Sequence, residues 1–300
     1  MINLDARLEN LFSRRKFLSH LGTGAGVTAL TVASSGCGDN TSPPPSTTSP
    51  TTTYSETDVL NFALNLEYLE AEFYLRAATG GGLSSADIGT SAGSVTGGRA
   101  IAFATPAIQQ YANEIANHEL AHVRFLRKAL GTAAVDRPVI DLSSSFNAAA
   151  SAAGIGSSFD PFANETNFLI GAFVFEDVGV TAYHGAAGSL TTKSNLAAAA
   201  GILAVEAYHA AIIRTLLTQI GGDALTAANK VSTLRATAGG GAETAVSGST
   251  VIAADSNSIS YERTPDQVLH VVYLSATAGV VAKGGFYPNG MNGNLKASAS

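Results

Sequence analysis

One arrangement of acidic, phenolic and imidazole side chains occurs twice in this chain. Glu67 is followed seven residues later by Tyr74 and then by Glu119-x-x-His122; Glu176 is followed seven later by Tyr183 and then by Glu206-x-x-His209. The echo continues beyond the histidines, where Leu126-Arg127 is matched by Ile213-Arg214. A single Glu-x-x-His constrains little, because the two residue types fall three apart by chance in many helices. Two copies, each preceded by a glutamate in a helical stretch, supply four carboxylates and two imidazoles. That is the ligand set of a dinuclear metal centre enclosed by a four-helix bundle.

The surrounding periodicity agrees. Apolar residues recur at three- and four-residue spacing in four segments. The first runs from Asp58, with Thr57 or Asp58 as its cap, to about Ala78, and stops at Gly80-Gly81-Gly82. The second spans about Ala107 to Leu130 after Thr105-Pro106, the third about Glu165 to Ala187, and the fourth about Lys193 to Ile220. A loop of about 25 residues joins the first pair and a turn of about 5 joins the second, while about 34 residues separate the pairs. Short links suit antiparallel neighbours, and the long one suits a crossover along the bundle. The expected fold is therefore all-α: two helical hairpins with a long crossover, a fifth helix over about Gln267–Val281, and irregular insertions at 132–164 and 222–260. The aromatics of Phe286-Tyr287 are expected to cover one end of the bundle.

Residues three apart on a helix share a face, so Glu119 with His122, and Glu206 with His209, can point inward together. In that spacing a glutamate bridges two ions while its histidine caps one. A carboxylate-rich set with one histidine per ion suits two iron or manganese ions better than zinc. Glu70 competes with Glu67 from one turn away; the seven-residue spacing to Tyr74, matched by Glu176 and Tyr183, favours Glu67. Glu72 reads as solvated, His118 and His184 as surface or supporting residues, and His270 as core. Arg127 and Arg214 read as structural partners of acidic residues. A metal-free hydrogen-bond network among the six is the competing reading, against which stands the cost of burying four carboxylates without a cation.

The first 36 residues read as a signal. Ser13-Arg14-Arg15-Lys16-Phe17-Leu18 forms a twin-arginine export motif ahead of a weakly apolar stretch from Leu21 to Gly36. No later segment stays apolar and charge-free for a bilayer's thickness. Cys37, the only cysteine, excludes an intrachain disulfide and a thiolate metal site. Its place after Ser34-Ser35-Gly36 suggests acylation, with Ser34 departing from the usual leucine, so the alternatives are a lipid anchor at Cys37 or soluble release. Residues 37–55, with Pro43-Pro44-Pro45 and a Ser/Thr run, read as a disordered tether, and 56–300 as the folded domain. Localisation would be periplasmic or at the cell surface. Without residues 1–36 the chain carries 13 basic and 21 acidic residues, a formal net charge of −8. With no basic patch, nucleic acid is not a partner.

Leu64 to Tyr74, His118-Glu119-Leu120-Ala121-His122, Phe175-Glu176 and Glu206-Ala207-Tyr208-His209 resemble the ferritin-like superfamily, in particular its secreted branch that includes plant desiccation-related proteins. The resemblance covers about residues 56–221 and extends to the C-terminal helix. It implies a ferritin-like bundle in which Glu67 and Glu176 are terminal carboxylates, Glu119 and Glu206 bridging ones, and His122 and His209 nitrogen ligands. Tyr74 and Tyr183 would lie beside the metals as catalytic residues. The insertions differ from those of cage-forming ferritins, which weighs against mineral storage. The expected function is a reaction with dioxygen or peroxide at a di-iron or di-manganese centre. The alternative is a stress-protective or interaction protein whose metal is structural or vestigial. Homo-oligomerisation stays open.

Overall fold

The computed structural model describes residues 54–276 and 279–298. The twin-arginine motif, Cys37 and the tether up to Thr53 lie outside the described residues. Seven α-helices follow in order: α1 (Glu56–Thr79), α2 (Pro106–Leu130), α3 (Ser144–Ala152), α4 (Glu165–Ala186), α5 (Lys193–Ile220), α6 (Gly222–Gly239) and α7 (Pro265–Val272). Two short strands, β1 (Val95–Thr96) and β2 (Ile140–Asp141), pair in parallel and tie the first loop to the crossover.

α1 begins two residues earlier than the sequence suggests. Ser55 caps it, accepting from the Asp58 backbone N–H, while the Asp58 carboxylate accepts from the backbone N–H of Ser55. The helix ends at Gly80, whose φ of 83° closes the last turn at no steric cost.

The four long helices fall into two kinds. α2 and α5 each bury one stripe: Ile115, Glu119, His122 and Leu126 on α2; Ile202, Glu206, His209 and Ile213 on α5. α1 is buried at every position from Leu64 to Tyr74, and α4 at every position from Phe168 to Tyr183. A helix apolar on all sides needs cover on all sides. α1 packs on α2 and α4 on α5 as two hairpins, and α1 and α4 face each other at the centre. The remaining faces of α4 are covered by α6 and α7.

The insertions supply that cover and are more ordered than the sequence suggests. Residues 132–164 contain α3, whose Phe146 joins a cluster around Phe73 with Tyr74, Phe162, Phe168 and Phe175, at centroid distances of 5.1–5.7 Å. Residues 222–260 contain α6, which buries Ala224, Ala227, Ala228, Val231 and Arg235. α7 is shorter than expected: Leu274 takes a left-handed φ of 53° and ends the helical run long before Val281. The segment before α7 lies flat on α4, where the Arg263 N–H donates to the Thr181 carbonyl at 3.0 Å. A Cβ at Gly185 would stand 2.0 Å from the Arg263 carbonyl oxygen, so this approach requires glycine.

The C-terminal aromatics are buried in the main core. Phe286 packs on Phe146 and Phe175, and the Tyr287 hydroxyl donates to the Asn65 carbonyl at 2.8 Å. Asn65 also exchanges bonds with the backbone of Asn292 at 2.9 and 3.0 Å.

Three buried arginines knit α4, α5 and α6 to the following loop. Asp177 accepts from Arg214 at 2.7 Å and Arg235 at 2.6 Å, while Glu243 accepts from Arg235 at 2.9 Å and Arg263 at 2.6 Å. Arg214 thus has its expected acidic partner. Arg127 does not: it donates to the Tyr68 hydroxyl and the Val135 carbonyl. Glu72, expected in solvent, is fully buried between Arg76 and Arg137, because the loops around α1 leave that helix no wet face.

α5 is long and apolar enough to cross a membrane, judged by length and composition. Glu206 and Arg214 interrupt it, so it is not charge-free over a bilayer's thickness. The same helix carries buried Glu206, His209 and Arg214, each facing partners in the bundle.

Candidate metal centre

Seven residues make just under two turns of α-helix, so Glu67 and Tyr74 share one face of α1, and Glu176 and Tyr183 one face of α4. The two helices cross-connect in antiparallel order. Tyr183 donates its hydroxyl to Glu67 Oε1, and Tyr74 donates to Glu176 Oε1. Each glutamate is left with Oε2 directed towards an imidazole: Glu67 Oε2 lies 3.2 Å from His122 Nδ1, and Glu176 Oε2 lies 3.5 Å from His209 Nδ1.

α2 and α5 bring the second set of groups. Glu119 Oε2 is 3.5 Å from His122 Nδ1 and its Oε1 is 3.1 Å from His209 Nδ1, so one carboxylate faces both imidazoles. Glu206 Oε1 lies 3.4 Å from His122 Nδ1. Two groups able to hold an ion result: Glu67, Glu119, His122 and Glu206; and Glu119, Glu176 and His209. The geometry is less symmetric than the sequence repeat, since Glu206 belongs to the first group alone.

The donor set fits metal ions on an independent observation. Both oxygens of Glu119, both of Glu206, Oε2 of Glu176 and Nδ1 of His209 are buried without a hydrogen-bond partner among the described residues. Leaving so many acceptors unpaired in a protein interior is costly, and cations would satisfy them together.

The protonation pattern reflects the crowding. Burial pushes Glu67 up to about 7 against the pull of His122. Glu206 is raised well above the usual range by burial and by Glu119, and Glu176 is raised by burial despite His209. Glu119 goes the other way, because His122 and His209 outweigh its burial. Burial opposes charge on His209, yet Glu176 and Glu119 lift it to about 11; Glu67, Glu119 and Glu206 likewise raise His122. Burial and the adjacent carboxylates push both tyrosines well above their ordinary value, so they stay protonated donors.

Two residues set aside in the sequence also border the cluster. Glu70 is buried one turn beyond Glu67, and burial together with Glu206 and Glu119 raises it well above the usual range. Glu206 and Glu70 approach α4 at Gly179, where an added Cβ would lie 2.5 Å from Glu206 Oε2 and 3.4 Å from Glu70 Oε1. His118 is half-buried with Nδ1 3.0 Å from His209 Nε2. Its place beside Glu119 gave no helical-face signal, because the contact is made across the bundle to α5. His270 sits in the core with Nδ1 2.8 Å from the Ser275 carbonyl, and His184 lies beside the Tyr261 carbonyl, both away from the cluster.

The ferritin-like domain family matches residues 55–219. The chain is 35% identical over 242 residues to a desiccation-related protein of Craterostigma plantagineum, covering 72% of this chain and 76% of that one. It is 32% identical over 268 residues to a ferritin-like catalase of Nesocodon mauritianus, covering 80% of this chain and 85% of that one. No solved structure matches at a significant level.

Proposed function

We propose that this chain, which belongs to the ferritin-like domain family and to its desiccation-related branch, holds two iron or manganese ions and disproportionates peroxide. Glu67, Glu119, His122, Glu176, Glu206 and His209 would be the ligands. The observation that carries this reading is Glu119: it is buried, neither of its oxygens has a hydrogen-bond partner, and each faces a different imidazole. A carboxylate so placed is suited to bridging two cations.

Two redox-active ions would supply the electron transfers by which one peroxide is reduced to water and another oxidised to dioxygen. The chain's own groups do the rest. Tyr74 and Tyr183 hold Oε1 of Glu176 and Glu67, which keeps each Oε2 turned inward. Four ionised carboxylates balance two divalent charges, so the pocket is suited to two such ions without other counter-charge. The burial of all four glutamates keeps bulk water from the reacting groups. Peroxide is favoured over dioxygen and ferrous substrate because one relative is named a catalase and because disproportionation needs no separate reductant. Export by the twin-arginine route and an anchor at Cys37 are part of the proposal, and they rest on Arg14-Arg15 and the lipobox-like Ser34-Ser35-Gly36-Cys37 alone.

The test is metal analysis of the purified full chain, with oxygen release from peroxide and Fe(II) oxidation measured beside the variant Glu119→Ala/Glu206→Ala. About two ions per chain, with oxygen release lost in the variant, supports the proposal. Fe(II) oxidation without oxygen release would transfer it to ferroxidase chemistry. Bound metal with neither activity would favour the protective role that the name of the desiccation-related relative suggests.

A further inference from the structure

We propose that His118 is a positioning residue for His209 and makes the two metal positions unequal. The inference rests on the dinuclear reading above and deepens it. His118 Nδ1 lies 3.0 Å from His209 Nε2, the ring centroids are 5.2 Å apart, and the ring planes differ by 13°. A centroid separation that large, with the nitrogens that close, sets the rings edge to edge in nearly one plane. It is the geometry of a ring N–H aimed along a lone pair, and it is not face-to-face stacking.

The chemistry of imidazole then fixes the tautomer. A neutral ring has one donor nitrogen and one acceptor. His209 Nδ1 faces Glu119 and Glu176 and has no hydrogen-bond partner, so it is the atom available to an ion. With the Nδ1 lone pair given to metal, the proton must sit on Nε2, where His118 Nδ1 accepts it. His118 carries its own proton on its remaining nitrogen. The contact joins α2 to α5, so it also fixes the rotation of the His209 ring about its stem.

The other histidine lacks this support. His122 points Nδ1 at Glu67, Glu119 and Glu206, and among the described residues no hydrogen bond is made by its second ring nitrogen. The position at His122 therefore has the larger number of carboxylates, and the position at His209 has the braced imidazole. Outer hydrogen bonds of this kind typically carry 10–100-fold in metal affinity.

The test uses the full chain titrated with Mn(II) against a competing chelator and followed by electron paramagnetic resonance. The unmodified chain is expected to bind two ions and give the signal of a coupled pair. In His118→Ala, one affinity is expected to fall about 10–100-fold with the other unchanged, so that the six-line spectrum of an isolated Mn(II) appears at sub-saturating metal. His118→Asn, which keeps a side-chain oxygen as acceptor, is expected to recover most of the lost affinity. Unchanged affinities in His118→Ala would overturn the inference. So would an equal loss at both positions accompanied by a lower Tm of the chelator-treated protein, which marks general loosening. Failure of the unmodified chain to bind two ions would instead sink the dinuclear reading, and the positioning role with it.

Discussion

The Tyr183 hydroxyl on α4 donates to the Glu67 carboxylate on α1, and Tyr74 on α1 donates in return to Glu176 on α4. Helix spacing placed each pair on its own element, but the partners cross over: each tyrosine serves the other helix's glutamate. Tyr183→Phe or Tyr74→Phe removes a donor from a buried carboxylate without opening a large cavity. Each should cost about 1–3 kcal/mol in urea unfolding of the chelator-treated protein. If the bonds also orient the ligands, each variant should weaken Mn(II) binding.

Gly179 marks where α4 admits the carboxylate of Glu206. In Gly179→Ala the new methyl would stand 2.5 Å from Oε2, and the end of a flexible side chain can give way where a backbone atom could not. The helical circular-dichroism spectrum should be retained, while Mn(II) affinity should fall about tenfold or more as the carboxylate is displaced. Wild-type affinity would mean that the placement of Glu206 is not critical.

Asp177 is the shared acceptor for Arg214 and Arg235, both 1% exposed. Asp177→Asn leaves two buried guanidinium groups short of charge compensation and should cost about 3–5 kcal/mol in urea unfolding. Arg99 and Asp160 form an ion pair at 2.6 Å with side chains 58% and 46% exposed. Arg99→Ala should cost no more than about 1 kcal/mol by the same measurement.

The chelator-treated protein should lose stability with rising pH. Glu67 is raised on folding from 4.5 to about 7, so its protonated form is favoured in the folded state and its contribution falls between those values. His209 is raised from 6.5 to about 11; its contribution is full below 6.5 and is lost as pH rises towards 11. Both shifts have one sign, and Glu119, held low, has finished titrating before this window opens. Tm should therefore be lower at about pH 9 than at about pH 5. Metal ions compete with these protons, so the Tm gained on adding Mn(II) should grow over the same range. A rising Tm without metal would contradict the crowding described for the pocket.

Much of the architecture was legible because a bundle centre demands particular residue types at helical spacing. Glu67, Glu119, His122, Glu176, Glu206 and His209 do meet in one buried cluster. What was hidden depends on contacts far apart in sequence. Glu72 is dry because Arg137, 65 residues on, reaches it. The buried stripe of α6 includes Arg235, which masks the apolar rhythm until Asp177 and Glu243 are known as its partners. The end of α7 turns on the left-handed conformation of Leu274, a residue type with no preference for it. His118 reads from the sequence as a surface or supporting residue, and the choice between these turns on a partner 91 residues away, His209.

Asn65, two residues before Glu67, is gripped by Tyr287 and Asn292. That grip joins an early helix to the last described segment of the chain. A ribosome makes the first carboxylate of the cluster early, yet the residues that steady its helix emerge more than 200 positions later. The helix that carries Glu67 thus has its full set of contacts only when the C-terminal segment is present.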